Sequence, residues 1–288
     1  ANNMLVTSHL DIQLGGNLST GATCGSMRHS GGAGTNLTIA GTLSGSCAFW
    51  QISATEPTIS ITGTVAFDTS SIEFVYQYSN AASIYTIPAF TTNGYLTLFP
   101  VTNDTTYIIG AGTMSAGGYL FKHSTAGKTL TIDNSVNNTP MATTVRDFDF
   151  SPSTGNVAFT MGSATYTNIR HWINKVGSTT LTPGTSTVNF TASSNVTSAS
   201  QSFYNVIVTA GIFAPQDALI ITNDLTMTGG TLGGAQNVTV NGNVACGGTC
   251  GTITTTGGTF TQRVGANKNF GTSIAGATVW TFVNLTFS

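Results

Sequence analysis

Apolar residues in this chain recur at every second position in short runs, and nowhere at convincing helical spacing. Leu37, Ile39 and Leu43 punctuate the segment that starts at Asn36. Ile59, Ile61 and Val65 alternate with Ser and Thr, as do Leu130 with Ile132 and Val238 with Val240, ahead of Val244. Period-two patterning built from Val, Ile, Thr and aromatics specifies strands with one buried face. Gly31-Gly32, Gly117-Gly118, Gly229-Gly230, Gly233-Gly234 and Gly257-Gly258 break the runs and signal turns. The expected core comprises Leu37, Ile39, Ile59, Ile61, Phe67, Leu96, Leu98, Leu130, Ile132, Phe148, Phe190, Val206, Val208, Ile220, Val238, Val240, Phe260, Leu285 and Phe287.

Short strands with frequent turns suit a sandwich, a barrel or a solenoid, and internal repetition separates these. A Thr/Ser-rich strand carrying Phe67, Phe190 or Phe260 is followed each time by a polar stretch, an aromatic and a short alternating strand. Leu96, Val206 and Leu285 take equivalent places in the three copies, at unequal spacing. The unequal spacing implies units of several short rungs with insertions. Between Asp217 and Phe260 the strands are very short, with Asn and Gly at their ends. That is the pattern of a parallel β-helix, whose coils each bury one or two side chains. The expected fold is all-β: a β-solenoid-like stack of short strands, with tandem β-sandwich or jelly-roll domains as the alternative. Three regions follow: an N-terminal β region, 1–64, with a Cys24–Cys47 loop; a repeat unit, 65–184, with an insertion at about 140–175; and C-terminal repeat units, 185–288, with Cys246–Cys250.

Only 6% of residues are charged and the net charge is −2. The eight Lys and Arg form no basic stripe, which argues against nucleic acid as a partner. Low charge suits a chain for which self-association is wanted. The four cysteines fall into two local pairs, Cys24 with Cys47 and Cys246 with Cys250. Disulfides imply an oxidising, extracytoplasmic compartment. No apolar run is long enough for a transmembrane helix. A chain opening at Ala1 without a signal-peptide pattern fits a processed, secreted protein. Asn17, Asn36, Asn103, Asn137, Asn189, Asn195, Asn237 and Asn284 each begin an N-x-Ser/Thr sequon and are candidate glycosylation sites.

The segments Phe203-Tyr-Asn-Val-Ile-Val and Phe282-Val-Asn-Leu-Thr-Phe, each preceded by a Phe-bearing Thr/Ser-rich strand, resemble the F-Y-N-L-T-I repeats of very long, adhesin-like bacterial surface proteins. The resemblance covers 60–99 and 185–288 best. It implies secretion, a stack of β-rungs and a role at the cell surface, and it brings no catalytic motif. Residues 140–175, with Arg146-Asp-Phe-Asp-Phe and Arg170-His-Trp, depart from the repeat.

Those departures hold the candidate chemistry. Asp147 and Asp149 share one side of a strand, about 7 Å apart from the strand rise, a separation found in glycoside hydrolysis. Phe148 and Phe150 then point into the core, which leaves the acids solvated, with Arg146 a partner for one of them. Asp147, Asp149, Arg170, His171 and Trp172 are therefore candidate surface-contact residues rather than catalytic ones; Arg170-His-Trp could stack on a sugar ring, although Trp172 reads chiefly as a packed side chain. His9 with Asp11 is a second polar pair without a recognisable role. Asp217, Asn223 and Asp224 could hold a single calcium, but the repeated Asp after the glycines of calcium-binding nonapeptides is missing, and no metal or other cofactor is expected. The strand before Ser288 suggests either a longer repeat protein or pairing with another subunit. The functional expectation is a non-enzymatic extracellular filament or adhesive fibre, whose partners are copies of itself and surface glycans. A viral or phage fibre or coat protein, and a secreted carbohydrate-binding or carbohydrate-cleaving β-helix, are the alternatives.

Overall fold

The computed structural model describes strands, mostly as backbone, through residues 2–87, with side chains there at 18, 38–43, 84, 86 and 87. From residue 89 it describes everything except 93, 101, 152, 169, 264, 266 and 272–279. Among these residues every element is a β-strand, and the paired strands run parallel. The chain winds as a three-sided β-solenoid. The first face is one twelve-stranded sheet from Asn2–Val6 to Thr252–Thr255. The second face is built of sheets of three, five and five strands, the last ending at Leu285–Phe287. The third face has sheets of three and seven strands, the longer running from Met114–Ala116 to Val244–Cys246.

One turn advances 18 residues between Val188 and Val206, 24 between Trp172 and Val196, and 29 between Tyr119 and Phe148. The surplus lies in the corners, so strands stay aligned while the sequence period drifts. Residues 140–175 supply strands to all three faces and belong to the stack. Leu96, Val206 and Leu285 sit on the first, third and second faces respectively. What recurs in sequence is thus a strand–corner–strand element used at different corners, not a repeat in register.

The core is a set of columns. Leu96, Tyr119, Phe148, Trp172 and Val196 are successive partners on the first face. Strands lie about 4.8 Å apart, close to the stacking distance of aromatic rings. Tyr119 accordingly stacks on Phe148 at 4.6 Å, and Phe148 on Trp172 at 4.7 Å. Phe121 and Phe150 form a parallel column at 5.3 Å. Buried polar groups are anchored within the coils. Tyr119 donates its hydroxyl proton to the Met114 carbonyl (3.2 Å), and Tyr166 to that of Met161 (2.7 Å).

The expected core is buried wherever its side chains are described, apart from three residues. Ile39, Leu96, Leu98, Leu130, Ile132, Phe148, Phe190, Val206, Val208, Val238, Val240 and Phe260 are interior, whereas Ile220, Leu285 and Phe287 are exposed. Ile220 has the wrong phase: its neighbours Leu219 and Ile221 point inward. Leu285 and Phe287 have the right phase, beside the interior residues Phe260 and Gln262. They stay open because a solenoid side chain needs a coil on both sides to be buried. The side chains of Leu37, Ile59, Ile61 and Phe67 lie outside the described residues.

Corners are closed by two devices. Gly211 and Gly230 adopt φ of +69° and +65°, and a Cβ there would meet the preceding coil's backbone at 2.2 and 2.7 Å. Between the second and third faces asparagines work through their amides instead. Asn223 donates to Asn205 Oδ1 (2.8 Å), and the Asn243 backbone N–H donates to Asp224 Oδ1 (2.7 Å). The Asn269 N–H then donates to Asn243 Oδ1 (3.0 Å).

Two predictions follow from the columns. Phe148→Ala should lower the unfolding free energy by about 3–5 kcal/mol in a denaturant titration, and a loss under about 1 kcal/mol would deny the column its role. Burial raises the Tyr119 and Tyr166 phenols above their ordinary value of 10.0. Stability is therefore intact below the unfolded value near 10 and falls as pH rises past it. Phenolate absorbance from these two residues should appear only together with unfolding.

Candidate functional site

Two regions of the surface concentrate side-chain chemistry. The first is the end of the stack formed by the last described coil. Phe270 bridges the third face beside Val244, Thr281 extends the first face beside Thr254, and Leu285–Phe287 adds the final strand to the second. Each side of this coil contributes an aromatic ring. Phe270 lies 5.4 Å from Trp280, 5.9 Å from Phe282 and 5.0 Å from Phe287, and Phe282 rests 5.1 Å from the buried Phe260. The Trp280 indole N–H donates to the Gly251 carbonyl (3.0 Å), which anchors this plate to the coil beneath. The plate leaves three apolar side chains open among exposed Thr and Asn: Val283, Leu285 and Phe287 are 56%, 40% and 52% exposed. Other exposed apolar residues, such as Val136, Val145 and Val176, stand singly at corners.

The second region is the edge of the first face where the chain arrives from the third. Arg146 lies over the Tyr95 ring at 5.0 Å. Gly118 makes room for that ring, since a Cβ there would meet Tyr95 Cε1 at 2.8 Å. One coil further on, Asp147 Oδ1 accepts the His171 backbone N–H (3.0 Å) and lies 3.7 Å from Arg170 Nε. His171 Nδ1 accepts the Asn195 backbone N–H (3.0 Å), which leaves the ring proton on Nε2.

The expected surface-contact residues thus divide. Asp147, Arg170 and His171 come together. Arg146 partners the Tyr95 ring rather than an acid. Asp149 turns to Ser151, whose N–H and hydroxyl both donate to its Oδ1 (2.8 and 2.6 Å). Trp172 is not at the surface: it is fully buried on Phe148, and its indole N–H donates to Asn174 Oδ1 (3.0 Å). It occupies an inward position of the strand Trp172–Ile173, where a large ring fills the column. Asp149 is thus engaged by its own turn, and Asp147 by the next coil.

The other candidates are dispersed. Cys246 and Cys250 are bonded and staple one corner. Cys24–Cys47, the His9–Asp11 pair, and the side chains of Asn17 and Asn36 lie outside the described residues. Asp217 accepts the Ser198 and Ala199 N–H groups (2.8 and 2.6 Å), away from the corner where Asn223 and Asp224 belong to the amide ladder. Of the sequon asparagines, Asn137, Asn195, Asn237 and Asn284 are exposed and Asn103 and Asn189 half-buried. Asn137 and Asn284 donate their amides to the Ile109 and Gly258 carbonyls (2.7 and 3.0 Å). No helix among the described residues is long and apolar enough to cross a membrane.

Sequence reasoning missed the Tyr95–Arg146 stack and the convergence of Phe270, Trp280, Phe282 and Phe287. The only available signal for the latter was the density of aromatics after residue 260. The chain matches no protein-family model, no curated protein and no solved structure.

Asp147→Ala should expose the His171 amide to solvent exchange and lower local stability by about 1–2 kcal/mol. Hydrogen exchange at His171 is the readout, and unchanged protection there would contradict the assigned hydrogen bond.

Proposed function

We propose that this chain is a non-catalytic, extracellular structural protein, a subunit or segment of a cell-surface fibre that grows by stacking β-coils end to end. The observation that carries this reading is the end plate. Leu285 and Phe287 have the phase of core residues, Phe287 rests on the Phe270 ring, and among the described residues no strand pairs with the edge of theirs opposite Phe260 and Gln262. A further coil in register would bury the remaining half of both side chains, worth about 1 kcal/mol each, and would extend the ladder by main-chain hydrogen bonds. The proposed occupant is the first coil of a second copy. Its second-face strand Leu10–Ile12, the counterpart of Leu285–Phe287, runs with the same polarity, and the sequence there carries Leu10 and Ile12. A head-to-tail contact of this kind does not close on itself and yields a filament.

The Cys246–Cys250 disulfide and the low charge fit an oxidising extracellular setting. The resemblance to adhesin-like surface proteins points the same way. With few ions at the joint, assembly should depend little on salt.

Light scattering of the full chain tests the proposal. Concentration-dependent growth should persist from low to high salt and should be abolished in Leu285→Lys/Phe287→Glu, whose substitutions lie outside the buried core. Equal growth in the variant, or a wild-type chain that stays monodisperse, would overturn the end-plate joint.

A further inference from the structure

Half of the chain's eight lysines and arginines flank three successive strands of the first face: Gly118–Phe121, Phe148–Asp149 and Trp172–Ile173. Arg146 and Arg170 take one edge, Lys122 and Lys175 the other. The lysines are committed elsewhere, with Lys122 over the Phe99 ring at 4.5 Å and Lys175 Nζ donating to the Ser153 carbonyl. Each arginine is held by one neighbour. A guanidinium lying on a ring keeps its N–H groups at its rim, and Arg146 lies over Tyr95. Asp147 lies against the Nε side of Arg170, whose side chain stays half exposed. The carboxylate itself is turned in, its side chain 14% exposed against 50% for Arg170. Next to it, His171 presents Nε2–H, because Nδ1 is occupied by Asn195.

Arg146 and Arg170 therefore take equivalent places on neighbouring coils, about 4.8 Å apart, and His171 follows Arg170 on the second of them. The pair runs along the solenoid axis, which suits an extended polymer better than a small molecule. Asp149, in the middle column of the face, keeps anions off its centre. Planar N–H forks match carboxylates, and the ring beside the arginines among the described residues, Tyr95, is covered by Arg146. We propose that the Arg146–Arg170–His171 edge binds the carboxylates of an extended uronic-acid polysaccharide. The site is lateral and does not depend on the end-to-end joint.

The test is retention of the full chain on polygalacturonate beads at low salt, beside beads of the same polymer with its carboxylates methyl-esterified. Wild type should be retained only on the free acid and released by salt. Arg146→Gln/Arg170→Gln should weaken retention at least tenfold with unchanged thermal unfolding and light scattering, and Arg146→Lys/Arg170→Lys should fall between, having charge without the fork. Failure of wild type to bind, equal binding to the esterified polymer, or an unweakened double Gln variant would each overturn the proposal.

Discussion

The distance between neighbouring strands, about 4.8 Å, governs this structure. Because coils stack in parallel and in register, each inward side chain lies on the side chain one coil back. Aromatic rings tolerate that spacing well, and the Tyr119–Phe148–Trp172 column uses it directly. The same spacing acts on the outside. Like charges at that separation repel by about 1 kcal/mol even in water. A neutral outer column avoids the cost, and on the second face Ile84, Thr106, Thr131, Ala158 and Thr180 are successive partners without a charge among them. The low charge of the chain is thus a consequence of how it stacks as well as a feature of its surface.

Strand phase was largely legible in the sequence, because period-two alternation of residues such as Leu130 and Ile132 leaves one reading. It failed at Ile220, where three apolar residues in a row allow either phase and only the partners of Leu219 and Ile221 decide between them. It could not assign burial to Leu285 and Phe287, since burial in a solenoid depends on the next coil rather than on the strand's own pattern. The Trp172 side chain was open to two readings, a ring stacking at the surface beside Arg170 and His171 or a packed one, and the packed reading, the favoured one, is what the structure shows.

The repeat was legible as a motif and illegible as a register. Phe203-Tyr-Asn205-Val206 turns from the second face to the third, whereas Phe282-Val-Asn284-Leu285 turns from the first to the second. The local requirement is the same at both corners: an aromatic inside, an amide at the bend, then an apolar strand. Coils of 18 to 29 residues can satisfy it at any corner, so sequence similarity does not report position in the stack. Contacts such as Arg146 on Tyr95 join residues a full turn or more apart and leave no trace in local pattern.

Electron microscopy of the native, unfixed chain combined with fibre diffraction is the most direct measurement of end-to-end stacking. Head-to-tail joints that continue the solenoid predict unbranched filaments with a reflection near 4.8 Å along the filament axis, because strands lie across it. Compact, monodisperse particles, or filaments whose strands run along the axis, would contradict it.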